Sequence, residues 1–150
     1  MYKRQEAISR FEREQQPEVL RDVGRLFSRM TRGRYTAIRR KLDEHGTILA
    51  DLANGTSKEP DQLSKGTREQ LYLAIRLAYA QHYCRESEPL PLVMDDVLVD
   101  FDDDRAASTI DVLAELSDQI QIIFLTCHED TIGRITARLP GLQPLRLEVA

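Results

Sequence analysis

Two short apolar runs, PLVMD (residues 91–95) and IQIIFLT (120–126), flank a segment of helical period. That arrangement limits the fold more than any other feature of the chain. Runs of this length, mostly apolar and ending in acid or threonine, fit strands buried on both faces. Between them DRAASTIDVLAELSD (104–118) lines up Ala106, Ile110, Leu113 and Ser117, which predicts an amphipathic helix. Strand, helix, strand in this order makes a right-handed parallel unit the expected topology and an α/β fold the expected class.

The flanking sequence adds elements to this unit. Pro17 can serve as the first residue of a helix in PEVLRDVGRLFSRM, where Val19, Val23, Leu26, Phe27 and Met30 recur at helical spacing and Gly33 supplies a stop. RYTAIRRKLD and GTILADLA read as a β-hairpin about the turn EHG, and NGTSKEPDQ (54–62) as loop. From Thr67 to about Tyr83, Leu71, Leu73, Ala74, Ile75, Leu77, Ala78 and Ala80 cover most of a helix circumference, so that helix is expected to be largely buried. DTIGRITARL reads as a weaker helix and LQPLRLEVA as a closing strand. Residues 1–16 are helical in pattern with few apolar positions, Ala7, Ile8 and Phe11, which suits the end of a longer arm.

Composition bounds the function classes. At 150 residues the chain is one domain or a large piece of one, long enough for a proper core, and no apolar run approaches the ~18–20 residues of a membrane span. The polar start MYKRQEAISRFEREQQ carries no secretory pattern, so a cytoplasmic protein is expected. Cys84 and Cys127 lie in apolar stretches without metal-ligand spacing and read as buried, reduced thiols. A net charge of −4 excludes a surface that is basic throughout, yet Arg21, Arg25, Arg29, Arg32, Arg34, Arg39, Arg40 and Lys41 are opposed in their window only by Asp22. This cluster is either a solvated helix and strand or a phosphate-backbone contact surface, with Arg29, Arg32 and Arg34 as the candidate DNA contacts.

Three segments carry candidate chemistry. Asp95 and Asp96 end the first apolar run, where ligands of parallel sheets bind; one carboxylate can support Mg²⁺ while its neighbour accepts a hydrogen bond from an attacking water. Asp102, Asp103 and Asp104 fall at the cap and first turn of the next helix, where its dipole stabilises them by ~0.3–1 kcal/mol each. In QLSKGTREQ (62–70), Ser64 and Gly66 open the long helix and could receive an anion. An ordinary cap, through Ser64 or a Thr67–Gln70 capping box, accounts for the spacing as well. His128 follows the second apolar run and would emerge at the same sheet edge as Asp95, although a histidine there is more often a cap or core residue.

Taken in order and with these separations, LSKGTREQ, PLVMDDVLVDFDDDR and FLTCH resemble the C-terminal lobe of an ABC-type ATPase head of the SMC, SbcC and RecF kind. The resemblance spans essentially the whole chain and is strongest to YhaN-like ATPases with long coiled coils. It implies a P-loop NTPase-like α/β lobe over residues 17–150, a mainly parallel sheet flanked by helices, with a hairpin and a coiled-coil stub at 1–16. It implies ATP and Mg²⁺ as ligands. LSKGT would be the signature motif, presenting Ser64, Lys65, Gly66 and Thr67 to ATP held on a second head. Asp95 would support Mg²⁺, Asp96 would stand at the catalytic glutamate position, Asp102 would be the D-loop aspartate and His128 the switch histidine.

Departures from that pattern bear on activity. Lys65 replaces the usual glycine, and Asp96 is one methylene shorter than glutamate. No G-x-x-x-x-G-K-[ST] loop occurs in the 150 residues, so the resemblance implies that a Walker A lobe of the same polypeptide, reached through a coiled coil, must complete the head, and that this chain alone is inactive. Expected partners are that lobe, a second head, DNA and a nuclease subunit, with no membrane. A non-hydrolysing dimerisation or DNA-tethering module is the alternative class. A Toprim-type nuclease would need a further glutamate that the acid-poor RYTAIRRKL lacks. An EF-hand loop through Asp100, Asp102 and Asp104 is opposed by Arg105 and Asp111 at the positions of its glycine and glutamate.

Overall fold

The computed structural model describes residues 18–40 and 46–147. The expected arm at 1–16, most of the EHG turn, Lys41 and the end of the expected closing strand lie outside the described residues. Two compact units make up the chain, Met1–Ser87 and Glu88–Ala150.

In the first unit, residues 18–30 are helical (α1) and bury the predicted stripe: Val19, Val23, Leu26, Phe27 and Met30 are all at most 4% exposed. Full burial of such side chains contributes ~1.5–3 kcal/mol each. The helix ends in a Schellman motif, Gly33 N–H bonding to Ser28 C=O at 2.8 Å and Arg32 N–H to Arg29 C=O at 3.1 Å. The left-handed position of that motif falls on Arg32 (φ +54°), one residue before the expected Gly33, which is itself left-handed (φ +77°). Gly24 has a packing reason to interrupt the helix: a Cβ there would lie 3.0 Å from the Ile38 backbone nitrogen.

The hairpin forms from β1 (Tyr35–Arg40) and β2 (Ile48–Leu52), antiparallel, with Ile38 opposite Ala50. A third strand, β3 (Ser57–Lys58), pairs with β2 where loop was expected. The turn is built by Asn54-Gly55: Gly55 N–H bonds to Leu52 C=O, Leu52 N–H to Thr56 C=O, and Gly55 is left-handed at φ +82°. This is a three-residue hairpin loop closed by a glycine bulge.

Helix α2 (Lys65–Glu86) starts earlier and ends later than the apolar pattern indicated. Leu71, Leu73, Ala74, Leu77 and Ala78 are buried, but burial does not extend around the circumference. Tyr72, Tyr79 and Tyr83 form an exposed stripe, 43–53% accessible. Gln70, fully buried, donates its amide to the Met30 carbonyl at the end of α1, 2.9 Å away, so it is not the far end of a capping box with Thr67.

The second unit holds the parallel pair β4 (Leu92–Asp95) and β5 (Ile122–Leu125), with α3 (Asp103–Leu116) between them in sequence and α4 (Glu129–Arg138) after them. Leu98, Phe101, Ala106 and Ile110 form its core, and Val97, Phe124, Ile135 and Leu139 pack against it. The strands are buried on one face rather than two. Met94 is 5% exposed, whereas Val93, Ile123 and Leu125 are 57%, 39% and 41% exposed. Strand alternation puts those three on the same outer side of the pair. On α3, Ala106, Ile110 and Leu113 face inward as expected, while Ser117 is an exposed C-cap. Residues 142–147 form no strand. No helix among the described residues is long and apolar enough to cross a membrane.

Candidate functional site

The site begins with the register of the parallel pair, in which Met94 lies opposite Phe124 and Asp95 opposite Leu125. Asp95 is the last residue of β4 and is exposed on the side that Val93 occupies. Asp96 then leaves the strand with φ +50°, its N–H still bonded to the Leu125 carbonyl at 3.0 Å. The left-handed region costs an ordinary residue ~1–2 kcal/mol, and among residues with a Cβ it is best tolerated by Asp and Asn. The chain bends at this residue as it leaves the strand.

Asp96 is turned toward the segment after β5. The Thr126 hydroxyl donates to Asp96 Oδ1 at 2.6 Å and accepts the His128 N–H at 3.1 Å. The other carboxylate oxygen, Oδ2, lies 3.7 Å from His128 Nε2 and 3.9 Å from Cys127 Sγ. One hydroxyl therefore fixes one face of the carboxylate and the backbone of the histidine, leaving Oδ2, the thiol and the imidazole facing one another. Their candidate ligand atoms all lie within 4.8 Å. The Asp96 and His128 side chains are 34% and 49% exposed, so solvent reaches the cluster.

Cys127 corrects an expectation: it is exposed at this edge rather than buried. The strand ends at Leu125, and the chain turns outward before the cysteine. Thr126, which organises the cluster, is present in the FLTCH segment but carries no signal of its role there. A half-buried hydroxyl bonding a partner 30 residues away in sequence is not legible from spacing.

The remaining candidates sit elsewhere. Asp102 is the N-cap of α3, accepting the Arg105 N–H at 2.9 Å and a guanidinium hydrogen bond from Arg105 at 2.8 Å. Asp103 and Asp104 occupy the first turn, as the capping expectation required, and Asp103 pairs with Arg134 at 3.0 Å. Ser64, Lys65, Gly66 and Thr67 belong to the first unit, at the start of α2. Ser64 is its N-cap, with its hydroxyl 3.4 Å from the Thr67 nitrogen and 2.8 Å from the Thr67 hydroxyl. Ser64 and Lys65 are exposed and Gly66 and Thr67 buried. A helix of this length orients its first amides and partial positive charge toward the space before Ser64.

Arg29, Arg32 and Arg34 are exposed on the first unit, and the Arg34 guanidinium lies 5.8 Å from the Tyr35 ring centre. Within the same sequence cluster, Arg25 pairs with Asp22 and Arg39 with Asp51, so part of that positive charge is locally balanced.

No protein-family model matches the chain. Among curated proteins it is similar to YhaN of Bacillus subtilis (strain 168), 37% identical over 123 residues, which is 81% of this chain and 13% of that protein. The chain thus spans about an eighth of the length of the curated relative it matches. Similar solved structures include an SMC ATPase described for ATP-driven dimerization and DNA-stimulated activation, with TM-score 0.67, 19% identity, and coverage of 84% of this chain and 76% of that one. The SMC head domain of Thermotoga maritima gives TM-score 0.58 at 19% identity over 80% of this chain and 40% of its own. The Pyrococcus furiosus Smc head with an extended coiled coil, bound to the C-terminal domain of ScpA, gives 0.62 at 18% over 89% and 34%. At these identities the solved structures establish the fold.

Proposed function

We propose that this YhaN-like chain, which has the fold of the C-terminal lobe of an SMC-type ATPase head, is one half of a head that binds and hydrolyses ATP between two dimerised heads. The observation that supports hydrolysis best is the Asp96 carboxylate, held by the Thr126 hydroxyl beside His128 at the carboxyl end of a parallel strand pair. In this reading Asp96 orients the attacking water and His128 contacts the terminal phosphate. The oxygen-only donor of Asp95, exposed at the strand end, suits a hard cation, and Asp95 would hold the Mg²⁺ that neutralises phosphate charge. Ser64, Lys65, Gly66 and Thr67 would meet nucleotide carried by the opposite head, through the amide-rich start of α2. Asp102 would face the dimer interface.

The lobe carrying a Walker A loop is the proposed cover for the outer face of β4 and β5, where Val93, Ile123 and Leu125 leave apolar surface in water. DNA is the proposed substrate of the assembly, in repair or chromosome processing, with a nuclease subunit as a further partner and the cytoplasm as the setting.

The test is ATP turnover by the complete polypeptide carrying both lobes, with and without Asp96→Asn. Asparagine tolerates the left-handed backbone of this position, so the variant removes the charge and spares the turn. Positioned acid–base groups typically contribute ~10²–10⁴-fold. Hydrolysis is expected to fall by about two orders of magnitude or more with ATP-driven dimerisation retained. Unchanged turnover would remove Asp96 from the mechanism.

A further inference from the structure

We propose that Asp96, Cys127 and His128 form a site for a borderline-soft divalent transition metal, Zn²⁺ in the first instance, with an open fourth position. Occupation of that site withdraws Asp96 and His128 from nucleotide. The inhibitory half of this proposal rests on the ATPase reading; the metal site itself does not.

The donor set argues for such an ion. A thiolate, an imidazole and one carboxylate are the ligands Zn²⁺ prefers, and they are poor ligands for Mg²⁺, which demands oxygen. The geometry is close to what is needed. With Zn–S about 2.3 Å and Zn–N and Zn–O about 2.0–2.2 Å, a tetrahedron has S···O and N···O edges of about 3.6 and 3.4 Å. The corresponding separations from Asp96 Oδ2 are 3.9 Å to Cys127 Sγ and 3.7 Å to His128 Nε2. Each exceeds the ideal edge by only about 0.3 Å. All three donors lie within 4.8 Å of one another, and the thiol and imidazole are exposed enough to close the remaining gap by side-chain rotation.

The carboxylate is also oriented as metal ligands are. The Thr126 hydroxyl occupies Oδ1 at 2.6 Å, which leaves Oδ2 directed at the other two donors. The same hydroxyl accepts the His128 N–H, coupling two ligands to one support. Exposure of the cluster leaves room for water at the fourth position, the arrangement of an exchangeable site rather than a closed structural one.

Co²⁺, as a spectroscopic probe displaced by Zn²⁺, tests the site in the complete polypeptide. The wild-type protein is expected to show a thiolate-to-cobalt charge-transfer band and tetrahedral ligand-field bands that Zn²⁺ abolishes. Cys127→Ala should lack the charge-transfer band and bind at least tenfold more weakly, and His128→Gln should lose affinity similarly. Equal affinity and equal spectra in wild type and Cys127→Ala would overturn the site. In turnover assays with excess Mg²⁺ and ATP, Zn²⁺ that saturates the site should inhibit the wild type at least fivefold and leave Cys127→Ala nearly unaffected. Metal bound through Cys127 with no effect on turnover would overturn the inhibition, while the ATPase reading would still be judged by Asp96→Asn.

Discussion

Replacing Thr126 by valine removes one hydroxyl and keeps the shape of the side chain, which isolates the support of the Asp96–His128 pair. Two hydrogen bonds are lost: the donation to Asp96 Oδ1 at 2.6 Å and the acceptance of the His128 N–H at 3.1 Å. A hydrogen bond to a charged group is worth ~1.5–3 kcal/mol and a neutral one ~0.5–1.5 kcal/mol. Because about a third of the Asp96 side chain is in water, solvent replaces much of the first bond, and a net loss of about 1–2 kcal/mol is expected. For a chain of this size that lowers Tm by roughly 2–8 °C.

Catalysis should suffer more than stability. Without Thr126, the carboxylate of a left-handed Asp96 is free to rotate, and a misplacement on the order of 1 Å costs up to ~10²-fold in rate. The expected result, in the complete polypeptide, is a kcat reduced about tenfold or more with KM for ATP little changed. Thr126→Ser restores the hydroxyl and should restore most of the rate. A folded Thr126→Val protein with wild-type kcat, or a serine variant as slow as the valine one, would refute the positioning role.

Neutralising the exposed Arg29, Arg32 and Arg34 together to Gln is expected to weaken binding of duplex DNA and to flatten its salt dependence by up to ~3 in the logarithmic slope, read by fluorescence anisotropy at several salt concentrations. An unchanged slope would assign these arginines to solvation. Asp51 gives a pH prediction: hydrogen bonding from Ser57, then from Arg39 together with that guanidinium's charge, outweighs burial and holds its carboxyl below the ordinary value of 3.8. A carboxylate whose folded pKa is depressed stabilises the protein fully above its unfolded pKa and loses that contribution as pH falls through the folded one. Asp51→Asn should therefore be less stable than wild type at pH 7 in urea unfolding, with the difference shrinking below about pH 4; a pH-independent difference would contradict it.

The elements most legible in the sequence were those whose partners lie close by or whose period is strong. The stripe of α1, the hairpin and the strand–helix–strand order of the second unit follow from apolar spacing alone. What the pattern could not give was which surfaces this chain itself covers. An unbroken apolar run identifies β4 and β5 as strands, but Val93, Ile123 and Leu125 stand exposed, so the run records hydrophobicity and not burial by these residues. The same limit holds for Cys127, whose thiol suits a buried site by residue type but follows the strand end at Leu125 and stands exposed. Asn54-Gly55 is a hairpin signal, but it stands among loop-forming residues that mask the short strand β3 beside it. At the site, Asp96 and His128 were legible as residue types at strand ends; Thr126 was not, because its role depends on a 2.6 Å contact across 30 residues.

Aspartate at position 96 suits its backbone in a way that the sequence does not show. With φ at +50°, this residue occupies the left-handed region, where a short polar side chain is tolerated and a longer one loses stability of ~1 kcal/mol. The same turn brings the carboxylate within 2.6 Å of Thr126 and 3.7 Å of the imidazole without a further methylene. Aspartate is an acid that this left-handed position accommodates, and Thr126 restrains the rotation that the backbone alone leaves open.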